Sequence, residues 1–323
     1  MIVILHHWTT IMPLFEDSGA YAAEQLATAE LLEAFETSRK RHLIYADDED
    51  LVLADDGANL SAVCCSGRLC WAYFLCNELA SHFDYDVGDR TINQPVFLFT
   101  LVDISCARSS EELEVDLGPI INRLRKGLGD CNYVAVIEPG LYSHVTIPGA
   151  NLKQSKCISW HLHALVWGMT RKKAKQLVAA LNGSGKYTPV SPGQVGAHQR
   201  QVRERELASA VGYLLKPPKA SYRLGLRTES VASGEPRHIQ YRSALRPGER
   251  LTLYLQLRHL SLPDLWIAGG EGGAILGRVK RRSRAAIRRH ERTERARPKS
   301  RSLKPADLFS NLVNDQANEV DWR

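Results

Sequence analysis

The pattern of apolar and polar positions predicts three β-strands and four helices. The predicted strands are residues 96–105, 132–138 and 158–167. The predicted helices are residues 20–41, 110–127, 170–183 and 201–216. The last helix must stop at Pro217-Pro218, because proline cannot continue a helix. Residues 187–199 contain several Gly and Pro residues and predict a loop, whereas residues 251–260 fit either a strand or a helix.

The order of these elements predicts an α+β fold, in which helices pack on one face of an antiparallel sheet. The second and third predicted strands are expected to form a hairpin. We divide the chain into an N-terminal extension over residues 1–88, a central domain over residues 89–262 and a Gly- and Arg-rich basic tail over residues 263–323. The extension is expected to be helical and carries a cluster of cysteines.

Composition and charge narrow the classes of protein that the chain could represent. Hydrophobic residues make up 44% and charged residues 24% of the 323 residues, which excludes a fibrous, collagenous or wholly disordered chain. The charge is uneven: residues 1–60 carry twelve acidic side chains against three basic ones, and residues 278–304 carry thirteen Lys and Arg against two Glu. Such asymmetry indicates a polyanionic partner.

The basic stretch over residues 278–301 fits two structures, a helix with arginines around much of its surface or a disordered arm. Either one would make salt-dependent contacts with phosphates. The alternative is a solvated tail without a partner. A net charge of +11 over residues 278–304 exceeds ordinary surface charge and favours a function in binding.

The sequence predicts a cytoplasmic protein without a membrane partner. No apolar run approaches the ~20 residues that cross a bilayer. The apolar start, residues 1–15, lacks a basic n-region and is a poor match to a signal peptide. The seven cysteines are an odd number in a chain too large to need disulfide bonds for stability, which favours a reducing compartment.

The stretch His161-Leu162-His163 places two imidazoles on one face of a predicted strand, because alternate side chains of a strand share a face. Trp160, Leu162 and Ala164 fall on the other face, which is apolar and suited to packing on helices. Two imidazoles at this spacing are able to converge on one divalent ion. The alternative is a pair of structural histidines in a half-buried strand.

Glu138 is the candidate third ligand, because it ends the preceding strand with the same parity as Val134 and Val136. An antiparallel hairpin would bring its carboxylate beside the imidazoles. Two histidines and one carboxylate, with coordination positions left open, suit Mn²⁺ or Mg²⁺ acting on a phosphate. The alternative is that Glu138 ends its strand in solvent, since the register of the hairpin is not visible in the sequence.

Tyr213 and Lys216 are three residues apart in the last predicted helix and therefore share a face. Such a helix is able to present a phenolic nucleophile together with a cation that stabilises developing charge. A tyrosine in an apolar helix is more often part of a core. The Tyr-Lys pair indicates a catalytic site only because a histidine pair precedes it by about fifty residues. Tyr187, Tyr222 and Tyr241 are rival nucleophiles, and none has a lysine three residues on.

Three stretches of the chain resemble, in order, the three motifs of HUH endonucleases. They are Phe97-Leu98-Phe99-Thr100, His161-Leu162-His163 and Tyr213-Leu214-Leu215-Lys216. The resemblance covers roughly residues 95–220, and its first motif is only a hydrophobic strand. Relaxases of the superfamily usually place the tyrosine before the histidines. The order in this chain is similar to that of rolling-circle replication initiators with one catalytic tyrosine and of single-tyrosine transposases.

The resemblance implies a ferredoxin-like or RRM-like core and a role for each motif residue. His161 and His163 would hold Mn²⁺ or Mg²⁺, with Glu138 as the third ligand. Tyr213 would attack the scissile phosphodiester of a single-stranded or hairpin DNA origin and form a 5′-phosphotyrosyl enzyme with a free 3′-OH. Lys216 would position the phosphate or stabilise charge near Tyr213.

Four cysteines fall within thirteen residues: Cys64, Cys65, Cys70 and Cys76. Several replication initiators of this kind carry a small zinc site before the first motif, so the resemblance raises the hypothesis of a structural Zn²⁺ at this position. The spacing agrees only loosely, between Cys65 and Cys70. The apolar residues around the cysteines also fit a core segment with buried thiols.

The expected function is therefore DNA nicking and joining that initiates rolling-circle replication of a plasmid or phage. A transposase with the same chemistry is the nearest alternative. Alternatives of other classes are a metal-dependent hydrolase that uses the histidine pair and a non-catalytic DNA-binding regulator. Residues 181–188 only superficially resemble a phosphate-binding loop, and the hundred or so residues after Lys216 are too few for a typical helicase domain. Unwinding is therefore expected to need a host helicase.

Overall fold

A computed structural model describes residues 13–53, 60–86, 88–89, 91–145, 155–191, 194–227 and 237–296. The helices are α1 (Pro13–Asp17), α2 (Ala20–Thr37), α3 (Asp48–Leu53), α4 (Cys65–Phe83), α5 (Leu117–Leu128), α6 (Arg171–Gly183), α7 (Leu207–Leu215), α8 (Pro247–Leu257), α9 (Leu262–Leu265) and α10 (Gly272–Ala296). The strands are β1 (Val96–Ser109), β2 (Asn132–Val145), β3 (Ser155–Trp167), β4 (Ala197–Val202), β5 (Ala220–Arg227), β6 (Arg237–Ala244) and β7 (Trp266–Gly269).

All of these strands belong to one sheet, and the fold is α+β as predicted. The strand order is β4-β1-β3-β2-β5-β6, and β7 pairs with the first half of β2. Neighbouring strands are antiparallel except for β2 and β5, which run parallel. The second and third predicted strands pair as β2 and β3, in agreement with the predicted hairpin, while residues 146–154 between them lie outside the described residues.

Helices cover both faces of the sheet, so the prediction of helices on one face is wrong. Thr100 and Leu101 are neighbours on β1 and point to opposite faces. A Cβ on Gly127 of α5 would lie 2.7 Å from Leu101 Cδ1. Tyr213 of α7 instead contacts His163, which is paired with Thr100. Both faces of the sheet carry buried apolar side chains and therefore both need covering.

Several element boundaries differ from the prediction for identifiable reasons. Helix α5 starts later than predicted because the Asp116 side chain accepts a hydrogen bond from Gly118 N and caps it there. The predicted helix over residues 201–216 is wrong in its first part. Residues up to Val202 pair with β1 as strand β4, and the α-helix begins only at Leu207. Residues 251–260 lie largely in helix α8, which has Pro247 in its first turn.

The C-terminal basic stretch is helical as far as Ala296. Of the two structures predicted for it, a helix or a disordered arm, the helix is therefore the one that forms. Ile275, Val279 and Ile287 are buried along one side of α10, and Glu78 of α4 accepts hydrogen bonds from two of its arginines. Residues 297–323 lie outside the described residues.

The division at residues 88 and 262 stays a prediction, and one hydrophobic core contains residues from all three segments. None of the described helices has the length and apolar character needed to cross a membrane.

Candidate metal centre and nucleophile

The register of the β2–β3 hairpin brings the three predicted metal ligands together. Glu138 on β2 lies directly opposite His161 on β3, and Val136 lies opposite His163. Directly paired residues of neighbouring strands share a face, so the carboxylate and both imidazoles project from the same side of the sheet. One ligand atom from each of Glu138, His161 and His163 lies within 4.8 Å of the others.

Two distances describe the cluster. His161 Nε2 and His163 Nε2 are 3.0 Å apart, and His163 Nε2 is 3.5 Å from Glu138 Oε2. The side chain of His163 is only 4% exposed and that of Glu138 is 14% exposed, so the centre is largely shielded from water. Electrostatic interactions are stronger in such a site than in bulk solvent.

Each imidazole makes a hydrogen bond through its Nδ1, and the two Nε2 atoms face each other. His161 Nδ1 is 3.1 Å from the Ser159 carbonyl oxygen, which only accepts, so this nitrogen is the donor. His163 Nδ1 is 2.9 Å from Thr100 Oγ1. Burial lowers the pKa of His163 well below its usual range, and the neighbouring His161 and Lys216 lower it further. His163 is therefore neutral at pH 7, the form in which an imidazole binds a metal.

The residues present fit a divalent cation. Glu138 Oε2 is buried and accepts no hydrogen bond from any described residue. A buried carboxylate oxygen without a partner is costly unless a cation binds it. Two ligands at a right angle around one ion, each about 2.1 Å away, are about 3.0 Å apart, in agreement with the spacing of the two Nε2 atoms. The His/Glu cluster is thus able to bind a metal ion.

Tyr213 on α7 lies beside this cluster. Its hydroxyl is 3.4 Å from His163 Nε2, and the two rings meet edge to face with their centroids 4.7 Å apart. The residue as a whole is 36% exposed, so the side of the ring away from His163 borders solvent. Burial raises the pKa of Tyr213 to about 12, Glu138 and Tyr222 add to the rise, and Arg242 and Arg200 oppose it. The phenol is therefore protonated at neutral pH.

Lys216 follows the last turn of α7 and folds back over Tyr213. Its Nζ lies 3.3 Å from the centroid of the Tyr213 ring, which is a close cation–π contact. Burial lowers the pKa of Lys216, and the carboxylate of Glu138 acts in the opposite direction. The predicted pairing of a phenol with a cation is thus present, with the ammonium above the ring.

The N-terminal extension holds the tyrosine helix in place, which the sequence did not indicate. A Cβ on Gly212 would lie 2.1 Å from the Ser18 carbonyl oxygen, so only glycine fits where α7 meets the end of α1. Arg68 of α4 donates to the carbonyl oxygens of Ala62 and Leu215, and its Nε bonds the buried Glu24 at 2.7 Å. These contacts hold the C-terminal half of α7, which carries Tyr213.

The rival tyrosines occupy three different environments. Tyr187 is buried and donates its hydroxyl hydrogen bond to the carbonyl oxygen of Arg123. Tyr241 is exposed, and its strand neighbour Arg242 is paired with Tyr222, so Tyr241 and Tyr222 project from opposite faces of the sheet. Tyr222 lies closer to the centre, where its ring stacks on that of Tyr142 at 5.0 Å. Tyr213 is the tyrosine in hydrogen-bond range of His163.

The cysteines do not form a metal site in the described part of the chain, so the zinc hypothesis is not supported. The one group of three or more potential ligands found among the described residues is the His/Glu cluster. Cys64 precedes α4, and Cys65, Cys70 and Cys76 lie in it, all buried. Burial raises the pKa of Cys65 to about 11 and that of Cys76 further, which keeps both in the thiol form. The thiolate is the form that binds zinc.

Thr100 is a site residue whose role the sequence did not indicate. It ends the Phe97-Leu98-Phe99-Thr100 motif, and the pairing of β1 with β3 places it opposite His163. Its hydroxyl group orients the imidazole through Nδ1.

Comparisons of this chain with protein-family models, with curated proteins and with solved structures find no significant match.

Proposed function

We propose that this protein is a metal-dependent HUH-type endonuclease that nicks and rejoins single-stranded DNA through a phosphotyrosine at Tyr213. The observation that carries the proposal is the convergence of four side chains. Glu138, His161 and His163 form a cluster within 4.8 Å, and the Tyr213 hydroxyl lies 3.4 Å from one of its nitrogens. A metal site next to a partly exposed tyrosine is an arrangement suited to covalent phosphoryl transfer.

The topology supports the assignment to this superfamily. The elements β1-α5-β2-β3-α6-β4 follow each other in the chain, and their strands lie in the order β4-β1-β3-β2. This succession of elements is that of a ferredoxin-like βαββαβ unit. The resemblance implies such a core, and the histidine pair lies on β3, an inner strand of this order.

Glu138, His161 and His163 would hold Mn²⁺ or Mg²⁺, because one carboxylate and two imidazoles with open positions suit these ions. When bound, such an ion polarises a phosphate oxygen and neutralises charge that develops on it. The Ser159 carbonyl accepts a hydrogen bond from His161 Nδ1, which leaves Nε2 of that ring as the ligating atom, and Thr100 orients the His163 ring through Nδ1.

The chemical step transfers a phosphoryl group from a 3′ oxygen of DNA to tyrosine. Tyr213 Oη forms a bond to phosphorus, and the bond between phosphorus and the 3′ oxygen breaks. The phenol loses one proton and the 3′ oxygen gains one, so the products are a 5′-phosphotyrosine and a free 3′-OH. Because the phosphoester bond is conserved, the reverse reaction rejoins the strand.

Lys216 stabilises the charge that develops on Tyr213 as its proton leaves. Its ammonium group lies over the phenol ring at 3.3 Å from the centroid. The pKa of Tyr213 is raised to about 12, so the residue is a neutral phenol, which is a weak nucleophile. A cation at this position stabilises the phenolate, which is the more reactive form. A lysine over the ring acts on the phenolate form more strongly than on the phenol.

The cellular role that we propose is initiation of rolling-circle replication of a plasmid or phage at a single-stranded or hairpin DNA origin, with unwinding by a host helicase. A transposase of the same superfamily would use identical chemistry and differ in its DNA site. The charge of the C-terminal region supports a nucleic-acid partner for either role.

Incubation of the protein with a labelled pool of random-sequence single-stranded DNA and Mn²⁺ tests the proposal directly. We expect a labelled protein band that survives boiling in SDS, that requires Mn²⁺ or Mg²⁺ and that is absent from the Tyr213→Phe variant. A band of equal intensity from Tyr213→Phe would contradict the assignment of the nucleophile. Cleavage without any covalent band would instead indicate a hydrolase that activates water.

A further inference from the structure

A row of aromatic and basic side chains crosses β2, β5 and β6 on the face of the sheet that carries the candidate metal centre. Tyr142 on β2 is paired with Tyr222 on β5, which is paired with Arg242 on β6. Glu138 and Tyr142 are four residues apart on β2 and therefore share a face. The row of Tyr142, Tyr222 and Arg242 thus lies on the same face as the metal ligands.

Gly140 separates the row from the metal centre, and both sides border the space above it. A Cβ at this position would lie 3.2 Å from His161 Cε1 and 3.4 Å from Tyr142 Cε2. The rings of His161 and Tyr142 therefore fill the space above Gly140 from its two sides. The Tyr142 ring in turn stacks on the Tyr222 ring, with centroids 5.0 Å apart and an angle of 26° between the planes.

The three side chains of the row differ in exposure. Tyr142 is buried, Tyr222 is partly exposed and Arg242 is exposed. Tyr142 packs with Cys157 and Val190 in a small apolar cluster, against which Tyr222 lies. Tyr142 thus acts as a support that fixes the ring of Tyr222, while the outer part of that ring and the guanidinium of Arg242 remain accessible.

We propose that Tyr222 and Arg242 form a subsite for one nucleotide of single-stranded DNA, next to the scissile phosphate. The base stacks on Tyr222, and its phosphate pairs with Arg242. Aromatic rings bind bases of any sequence because every base has a π-face, and arginine binds the adjoining backbone. The inference rests on the proposed function for its substrate, and it adds two residues that hold the strand without taking part in bond formation.

The position of the subsite suits this role. Tyr222 and Arg242 both lie close enough to Tyr213 to influence its pKa, which Tyr222 raises and Arg242 lowers. A strand held by the row would lie on the face of the sheet that carries the metal ligands and that Tyr213 contacts. The opposite face of the same two strands provides matched controls, because Arg223 and Tyr241 are paired with each other there.

Binding is measured first, in the Tyr213→Phe background with EDTA, so that neither cleavage nor a metal contributes. The probe is a fluorescein-labelled 20-nucleotide random-sequence DNA pool, followed by anisotropy. We expect Tyr222→Ala to weaken binding roughly 5- to 100-fold and Tyr222→Phe to leave it unchanged. Arg242→Gln should weaken binding and reduce the slope of log K against log salt by about 0.7. Tyr241→Ala and Arg223→Gln should bind like the parent.

The outcomes separate this inference from the proposed function. Equal affinity of the Tyr222→Ala variant and its parent, or equal losses in the two control variants, would overturn the subsite. Loss of the covalent adduct in Tyr222→Phe with an intact Tyr213 would also overturn it, because Tyr222 would then be the nucleophile. If the wild-type protein forms no adduct but Tyr222→Ala and Arg242→Gln still weaken binding, the subsite stands and the nuclease assignment fails.

Discussion

The β2–β3 hairpin and helix α4 both carry several potential metal ligands close together in sequence, and only the hairpin brings them to one point. His161 and His163 are two residues apart on a strand, so they share a face, and the register adds Glu138 from the neighbouring strand. Cys65, Cys70 and Cys76 are five and six residues apart on a helix, where each residue turns about 100°.

The difference shows that the spacing of ligands has to match the periodicity of the element that carries them. On α4, Cys70 points about 140° away from Cys65 and about 120° away from Cys76 around the helix axis. Cys65 and Cys76 lie on the same side but are eleven residues apart, about 16 Å along the helix, so the three thiols do not converge. All three are buried, which is typical of structural cysteines. The geometry of potential ligands in a segment is therefore better evidence for a metal site than their number.

The largest expected effect is that of removing both imidazoles. His161→Ala combined with His163→Ala should abolish adduct formation, a loss of at least about 1000-fold, because a bound metal supplies several kcal/mol of transition-state stabilisation. The circular dichroism spectrum should remain that of the wild type. Retained adduct formation in a folded double variant would contradict the metal role.

Removal of the charge on Glu138 should weaken the metal site with little change in shape. We expect Glu138→Gln to bind Mn²⁺ about 100-fold more weakly in titration calorimetry, because an amide oxygen replaces a buried carboxylate in the cluster. The same variant should keep the wild-type circular dichroism spectrum in EDTA, because glutamine has nearly the shape of glutamate. Unchanged Mn²⁺ affinity would place the ion elsewhere.

A smaller effect is expected from the hydroxyl group that orients His163. Thr100→Val preserves the shape of the side chain and removes the hydrogen bond to Nδ1. Loss of such an outer partner should reduce Mn²⁺ affinity about 10- to 100-fold. Thr100→Ser, which keeps the hydroxyl group, is the matched control and should bind like the wild type. Equal losses in the two variants would indicate a packing effect.

The smallest effect on activity is expected from the cysteines. Cys70→Ala and Cys76→Ala each leave a small cavity in the core and should lower the free energy of unfolding by about 1 kcal/mol, without loss of metal or of adduct formation. Elemental analysis of protein purified without added metal should find no zinc bound to the cysteines. Zinc that disappears in both variants would show that α4 carries a metal site after all.

The strand pair and the parity of its side chains could be predicted from the sequence, but the register could not. His161 and His163 were assigned to one face by alternation alone, whereas the position of Glu138 opposite His161 depends on backbone pairing. Strands β4, β5, β6 and β7 are absent from the prediction. The sequences of β4 and β6 are largely polar, and pairing with β1 and β5 stabilises them instead.

The helical part of the basic tail has apolar residues at helical spacing, but its high charge made this pattern difficult to recognise. Ile275, Val279 and Ile287 recur at multiples of four residues, which is helical spacing, among arginines that dominate the composition. The contact of Glu78 with Arg278 and Arg282 fixes this helix against α4 and joins positions two hundred residues apart. No local pattern indicates such a long-range contact.

The central claim is that Tyr213 becomes covalently attached to DNA. Mass spectrometry of the adduct after nuclease and trypsin digestion tests it most directly, because trypsin separates the tyrosines: cleavage after Arg205, Lys219 and Arg223 places Tyr213 and Tyr222 in different peptides. The account predicts that the nucleotide remnant is on residues 206–219 at Tyr213. A remnant on residues 220–223, or on any other tyrosine peptide, would contradict it.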